Sequence, residues 1–219
     1  LLLQIINIYV ISELYVNFDI FKSIQLPSII LFLIILVFGL TLVNCVNFMD
    51  GIDGLVASNM LLISLNYTFL NNTEFIGITS SLLVFLFYNC SPAKLFMGDT
   101  GSTFLGLVLF YMISTSNDLN SALILFLTAS PLLMDSLVCI LRRFINNENI
   151  FSPHKKHLYQ RLHQNGMSHS KVSIIYGSCT FILVIFSQTN NLIIMSSMTL
   201  LVFLLGTFLE KYYALPFKT

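Results

Sequence analysis

Residues 27–54 read PSIILFLIILVFGLTLVNCVNFMDGIDG, and this stretch decides the fold. Positions 27–46 carry no charge and are apolar over the length, roughly 17–25 residues, that a helix needs to cross the hydrocarbon of a bilayer. The run then gives way to the polar segment 47–54. A chain of 219 residues that is 56% hydrophobic and 9% charged, with a mean hydropathy of +0.86, is too apolar for an ordinary soluble domain. The reading is an all-α, polytopic transmembrane helical bundle, one multi-pass membrane domain over residues 1–219.

Outward from this span, an apolar run at 1–11 precedes a polar connector, 12–26, that carries Glu13, Asp19 and Lys22. Further spans are expected at 55–70, 75–90, 101–115, 121–141, 172–186 and 192–209, with Pro131 and Asp135 interrupting the fourth of these. Short polar turns separate some of them. One long polar segment, 142–171, holds all four histidines, His154, His157, His163 and His169. The chain opens at Leu1 inside an apolar run with no basic region before it, so no cleavable signal peptide is defined. The expectation is the C-terminal part of something longer.

Alternating the spans places 47–54, 91–100, 142–171 and the tail from Glu210 on one side. That side carries Lys94, Arg142, Arg143, Lys155, Lys156, Arg161, Lys171, Lys211 and Lys218, whereas the other keeps Lys22 with Glu13, Asp19, Glu74 and Asp118. The positive-inside rule makes the first side cytoplasmic. Basic and acidic residues balance at 10 each, so net charge points to no acidic partner and no nucleic acid. Cys45, Cys90, Cys139 and Cys179 lie far apart in or beside apolar runs, which favours reduced thiols over a disulfide framework or a zinc site.

Two polar stretches can carry chemistry. Asn44, Asn47, Asp50 and Asp53 recur every third residue at the mouth of an apolar span, and Gly51 and Gly54 favour a broken helix there. Such groups are costly to bury unpaired, and they require a ligand, a metal or each other. In the stretch 94–102, KLFMGDTGS, Asp99 or Thr100 is placed to cap a helix beginning near Gly101, whose free N–H groups attract phosphate. Asp99 would repel that phosphate. A divalent cation resolves the conflict, since Mg²⁺ is commonly held by one or two carboxylates together with substrate phosphates. No GK[ST] follows, so this is not a Walker A loop.

Asp135 is expected to brace the site, by pairing with Lys94 or with a polar residue of a neighbouring span, or to act directly. His154, His157 and His163 stand among Lys155, Lys156 and Arg161, which suits an anion clamp better than a metal site because no carboxylate or thiolate is close in sequence. The plainer readings of these features are a solvated helix end, an ordinary cap and solvated loop histidines.

Asn44-Cys-Val-Asn-Phe-Met-Asp50-Gly-Ile-Asp53-Gly-Leu55 resembles the NxxNxxDGxDGL motif of the polyprenyl-phosphate N-acetylhexosamine-1-phosphate transferases, glycosyltransferase family 4, typified by MraY and WecA. Residues 94–106 resemble that family's FMGDxGSxxLG motif, and 131–143 its PxxD segment. The resemblance implies that Asp99 is a Mg²⁺ ligand, with Mn²⁺ as the alternative metal. It also implies that Phe96 and Asp50 line a nucleotide-base pocket and that Asn44 and Asn47 support the site. The reaction implied is transfer of N-acetylhexosamine 1-phosphate from a UDP-sugar to undecaprenyl phosphate, releasing UMP and initiating a cell-envelope polysaccharide such as O-antigen. The expected setting is a bacterial inner membrane with the site facing the cytoplasm, in contact with membrane lipid and in a homodimer.

The candidate catalytic residues are Asp99, Asp50, Asp53 and His157, and the candidate substrate-binding residues are Asn44, Asn47, Lys94, Phe96, Gly101, His154 and Arg161. His157 and Arg161 are the candidates for gripping phosphate oxygens. The last loop departs from the family's HxHH pattern, reading HKKHLYQRL at 154–162, and is similar to the O-antigen-initiating WbpL and WbcO branch. The family's earlier Asp-Asp pair has no counterpart, since the chain contains no adjacent aspartates. A multi-pass transporter is the competing class and predicts a polar pathway to the far side. An inactive truncated transferase is the other alternative.

Overall fold

The computed structural model describes residues 2–15, 27–70, 73–150 and 152–217. Asp19 and Lys22 of the connector, and Lys218, lie outside the described residues. Ten α-helices account for the described chain, which contains no strand. They are α1 (Leu2–Tyr15), α2 (Ser28–Phe48), α3 (Leu55–Leu70), α4 (Ile76–Asn89), α5 (Gly98–Ser114), α6 (Leu119–Thr128), α7 (Ser130–Ile145), α8 (Leu158–Gln164), α9 (His169–Ser187) and α10 (Leu192–Tyr213). The all-α polytopic reading holds.

By length and composition, Ile29–Phe48, His169–Ser187 and Leu192–Tyr213 are long and apolar enough to cross a membrane. The expected single span at 121–141 is instead two helices, α6 and α7, bent by 73°. The cause is local. Pro131 has no N–H to donate and its ring crowds the preceding turn, so one helix stops at Thr128 and a second restarts with the proline in its first turn. Taken as one broken span, the pair is a fourth crossing. α1, α3 and α4 are apolar but shorter.

The core is apolar side chains between helices. α2 packs most extensively on α5, and α3 packs on α4 and α9. The α2–α5 approach is close because Gly106 has no side chain: a Cβ there would lie 2.6 Å from the Val43 Cα. Leu42, Val46, Leu105 and Leu109 are buried around this contact. By contrast Leu33, Val37, Leu200 and Leu201 are more than half exposed, the pattern of helices whose outer faces meet lipid rather than water.

Asn66, Asn59 and Thr180 are buried polar groups within this apolar set, and they pair across α3 and α9. Asn66 Nδ2 donates to Ser187 Oγ at 3.0 Å, and the Thr180 hydroxyl bonds to Asn59 Oδ1. Unpaired, each would be costly in an apolar interior. All four cysteines are free.

Candidate functional site

The α2 helix ends at Phe48, so Asn44 and Asn47 stand in its last turns while Asp50 and Asp53 fall in the tight turn to α3. The helix is therefore broken after the two asparagines, as the glycines imply. Gly54 takes a φ of +75° in that turn, a backbone region open to glycine at little cost. Gly51 is required for a different reason, because a Cβ would lie 2.1 Å from the Tyr159 hydroxyl.

α5 begins at Gly98, one turn earlier than the sequence indicates. The backbone turns in at Gly98 with φ +65°, and no side-chain cap is made. Asp99 is thus an exposed residue of the first turn, not the cap, and Gly101 lies inside the helix. A carboxylate in the first turn is favoured by the helix dipole.

The two polar stretches are joined directly. Asn47 Nδ2 donates to Ser102 Oγ at 2.8 Å, and the Ser102 hydroxyl sits against the Gly98 carbonyl at 3.1 Å. Asn44 donates instead to the Leu40 carbonyl within its own helix. Asp50 is half-buried in the turn. Burial, and after it the charge of Asp99, pushes the Asp50 carboxyl up to about 6. Two carboxylates so placed, offering only hard oxygen donors, fit a divalent cation of the Mg²⁺ type, which would relieve the repulsion acting on Asp50.

A second set of bonds ties the 90–97 loop to the same turn. The Ala93 N–H donates to Asp53 Oδ2 at 3.2 Å. Gly54 N–H donates to Asn89 Oδ1 at 3.1 Å, and Asn89 Nδ2 donates to the Leu95 carbonyl at 2.9 Å. Burial pushes the Asp53 carboxyl up, but the Ala93 N–H and His169 outweigh it and hold the group below the usual carboxylate range. Lys94 is exposed, and Phe96 is 75% exposed on a loop outside the spanning helices.

The third polar segment folds over these two. Its anchor is Asp135, whose Oδ1 accepts the Leu158 N–H at 2.7 Å and whose Oδ2 accepts the Tyr159 N–H at 3.0 Å and the Tyr176 hydroxyl at 2.6 Å. Asp135 therefore braces the site through α8 and α9, not through Lys94. Tyr159 in turn donates to the Phe48 carbonyl at 3.0 Å, reaching the end of α2.

The histidines do not form one clamp. His157 is buried, its Nδ1 3.6 Å from Asp135 Oδ1, beyond hydrogen-bond reach and without another partner. His154 stacks on it at 5.0 Å between ring centroids. Burial, with His157 and Arg143, pushes His154 down to about 4, so it is neutral at pH 7. His163 lies on the surface against His169, at 4.3 Å between centroids. Nor is the segment free of a carboxylate or thiolate: Asp135 faces His157, and ligand atoms of Cys139, His154 and His157 lie within 4.8 Å of one another. Arg143, Lys156 and Arg161 act on this set and His154 Nδ1 already accepts the Lys156 N–H at 3.3 Å, which disfavours a further cation there.

Arg161 is buried and each of its three guanidinium nitrogens is engaged. It bonds to the Lys156 carbonyl, the Leu215 carbonyl at 2.8 Å and Glu210 Oε1 at 2.6 Å. Arg142 pairs with the same Glu210 oxygen. Asp50, Asp53, Asp99, Asn47, Lys94 and Phe96 are thus gathered at one end of the bundle, while His157 and Arg161 sit behind them as internal supports. Asn89, Tyr159, Tyr176 and Glu210 were not read as site residues. A buried asparagine ending an apolar span is the signal that points to Asn89.

Residues 1–117, which include both motif stretches of α2 and α5, match the family description "Glycosyl transferase family 4". Among curated proteins, the probable undecaprenyl-phosphate N-acetylglucosaminyl 1-phosphate transferase of Bacillus subtilis is 37% identical over 150 residues, covering 61% of this chain and 41% of its own. The decaprenyl-phosphate N-acetylglucosaminephosphotransferase of Mycobacterium tuberculosis is 31% identical over 195 residues, 75% of this chain and 48% of its own. The phospho-N-acetylmuramoyl-pentapeptide-transferase of Endomicrobium trichonymphae is 29% identical over 211 residues, 84% of this chain and 54% of its own. The chain spans about half the length of these relatives.

Proposed function

The chain belongs to glycosyl transferase family 4, and on that premise we propose that it carries the donor end of a Mg²⁺-dependent transferase that moves N-acetylhexosamine 1-phosphate from a UDP-sugar to undecaprenyl phosphate at the cytoplasmic face of a bacterial inner membrane. The product is a lipid-linked sugar diphosphate, the first unit of a cell-envelope polysaccharide, and UMP is released. The relatives named for polyprenyl phosphates and N-acetylglucosamine phosphate support the reaction class.

The acceptor phosphate is an anion already, so the chemistry needs no strong base. Its oxygen attacks the sugar-bearing phosphorus, a P–O bond forms, and the bond to the UMP phosphate breaks. Catalysis is then positioning and charge neutralisation. Asp99, with Asp50 beside it, would hold the cation, which supplies charge neutralisation on the diphosphate when bound. Asn47 fixes Ser102 and so the start of α5 relative to Asp50. Lys94 offers a positive charge to phosphate, and the exposed Phe96 ring offers a face on which a uracil can stack.

Apolar grooves flank α7 and suit an isoprenoid chain. One lies against α2, lined by Ile34, Val37, Phe38, Leu133 and Leu137. The other runs between α7 and α10, past Met134, Val138 and Phe203, to Arg142, Lys156 and Arg161. The observation that carries the proposal is the joining of the two acidic stretches at Asn47 and Ser102, with the charge of Asp99 close enough to act on the Asp50 carboxyl. The test is Mg²⁺-dependent release of UMP from UDP-N-acetylhexosamine and undecaprenyl phosphate by membranes containing the protein. Wild-type release by Asp99→Asn would reject the assignment.

A further inference from the structure

Two histidines outside the proposed reaction, His163 at the end of α8 and His169 at the start of α9, form a continuous chain of contacts with Asp53. His163 Nδ1 lies 2.8 Å from the Met167 carbonyl. The two Nε2 atoms lie 3.3 Å apart. His169 Nδ1 lies 3.2 Å from Asp53 Oδ2.

Counting hydrogens along this chain fixes its charge. The Met167 carbonyl and the Asp53 carboxylate are both acceptors, so the Nδ1 of each ring must carry a hydrogen. The Asp53 N–H also approaches His169 Nδ1, at 3.4 Å. A bare Nδ1 accepting that longer contact would set its lone pair against the nearer carboxylate. Between the rings, no hydrogen leaves two lone pairs facing each other, and two hydrogens set N–H against N–H. One hydrogen satisfies the contact. Three N–H groups on two imidazoles is one more than two neutral rings possess, so the pair carries one net positive charge opposite Asp53.

We propose that His163 and His169 share a single proton as a positioning dyad, which holds the Asp53 carboxylate where it receives the Ala93 N–H and thereby sets the 90–97 loop that presents Lys94 and Phe96. Asp53 is further fixed from α9, where the Ser173 hydroxyl donates to its backbone carbonyl at 2.7 Å. Asp53 faces the dyad from the α2–α3 turn and His163 from α8. Lys94 and Lys171, the neighbouring charges on the loop and on α9, are exposed. Neither histidine acts on substrate. Their effect on turnover rests on the transferase reading, whereas their effect on the loop does not.

The test uses the protein with ¹⁵N-labelled histidine in nanodiscs. The expected result is a through-hydrogen-bond coupling between the two Nε2 nuclei, the signature of a single hydrogen held between the rings. Hydrogen exchange at Ala93 gives the second readout. His169→Ala speeds it about tenfold, the equivalent of one lost hydrogen bond, while His169→Asn, which retains a donor at the Nδ1 position, preserves protection. Absence of the coupling, or Ala93 protection unchanged in His169→Ala, overturns the dyad. With both readouts as expected, a tenfold rise in KM for the UDP-sugar in His169→Ala supports the link to catalysis, and absence of any Mg²⁺-dependent UMP release counts against the transferase reading alone.

Discussion

Asp135 on α7 caps α8 from outside it, accepting the Tyr159 N–H at 3.0 Å and the adjoining Leu158 N–H at 2.7 Å. One carboxylate thus satisfies two of the free donors at the start of a helix 23 residues further on. Asp135→Ala leaves both N–H groups and the Tyr176 hydroxyl without their acceptor. Charge-assisted bonds of this type are worth about 1.5–3 kcal/mol each, and with three of them lost, offset in part by no longer burying a carboxylate, the variant is expected to lose about 3–5 kcal/mol of stability. Thermal unfolding in nanodiscs measures the loss, and faster proteolysis in 152–168 locates it.

The join between Asn47 and Ser102 predicts a coupling. Asn47→Ala and Ser102→Ala each remove the same bond, so the double variant is expected to be less destabilised than the sum of the singles by about 1 kcal/mol, the net value of one hydrogen bond. Strict additivity in a double-mutant cycle would show the two acidic stretches to be independently placed.

The Asp50 carboxyl, raised to about 6, is protonated more readily in the folded protein than in the unfolded chain. Its contribution to stability is therefore largest below the unfolded value near 3.8 and declines as pH rises through about 6. Cation binding runs the other way, because the proton competes for the same oxygens: Mg²⁺ affinity should fall as pH drops from 7 to 5. Asp99→Asn removes a repelling charge and should bring the Asp50 titration down. Carbon-detected NMR of the side-chain carboxyl reads both effects.

Three glycines should rank by what their missing side chain leaves room for. Gly106→Ala drives a Cβ to 2.6 Å from the Val43 backbone, which cannot give way, while Gly101→Ala meets only the flexible Met97 side chain at the same distance. Gly106→Ala is expected to cost about 1–3 kcal/mol or more through overpacking and Gly101→Ala much less. Gly51→Ala collides with the Tyr159 hydroxyl. Tyr159→Phe should partly rescue it, although the ring carbon at 3.0 Å remains tight. Unfolding midpoints of the four variants decide the order.

The fold class and the gathering of the motif stretches at one end were legible because charge, glycine and apolar length are local features. Asp50, Asp53 and Asp99 announce themselves as acids at the mouths of apolar runs. Asp135 was legible as a brace, and its Tyr176 partner does lie on a neighbouring span, but its other partners and those of Arg161 were not legible, being backbone groups and a glutamate distant in sequence: Leu158 and Tyr159 N–H for one, the Leu215 carbonyl and Glu210 for the other. Composition alone makes four histidines in a basic loop look like one anion site. The structure divides them because His154 and His157 follow the chain inward to α7, while His163 and His169 stay at the surface. The start of α5 at Gly98 was missed because the string GDTGS offers two glycines, and only the φ of the first shows where the chain turns.

The bend between α6 and α7 bears on how the protein is made. α6, at 10 residues, spans about 15 Å at 1.5 Å per residue and is too short to be released into a bilayer alone. α7 carries Asp135, Arg142 and Arg143, charges that an insertion channel rejects from a segment read singly. Among the described residues Asp135 finds its hydrogen-bond partners in Leu158, Tyr159 and Tyr176, all synthesised later. The final placement of the broken pair is therefore expected to depend on segments that follow it in the chain, so that its own fold is completed only when α8 and α9 have been made.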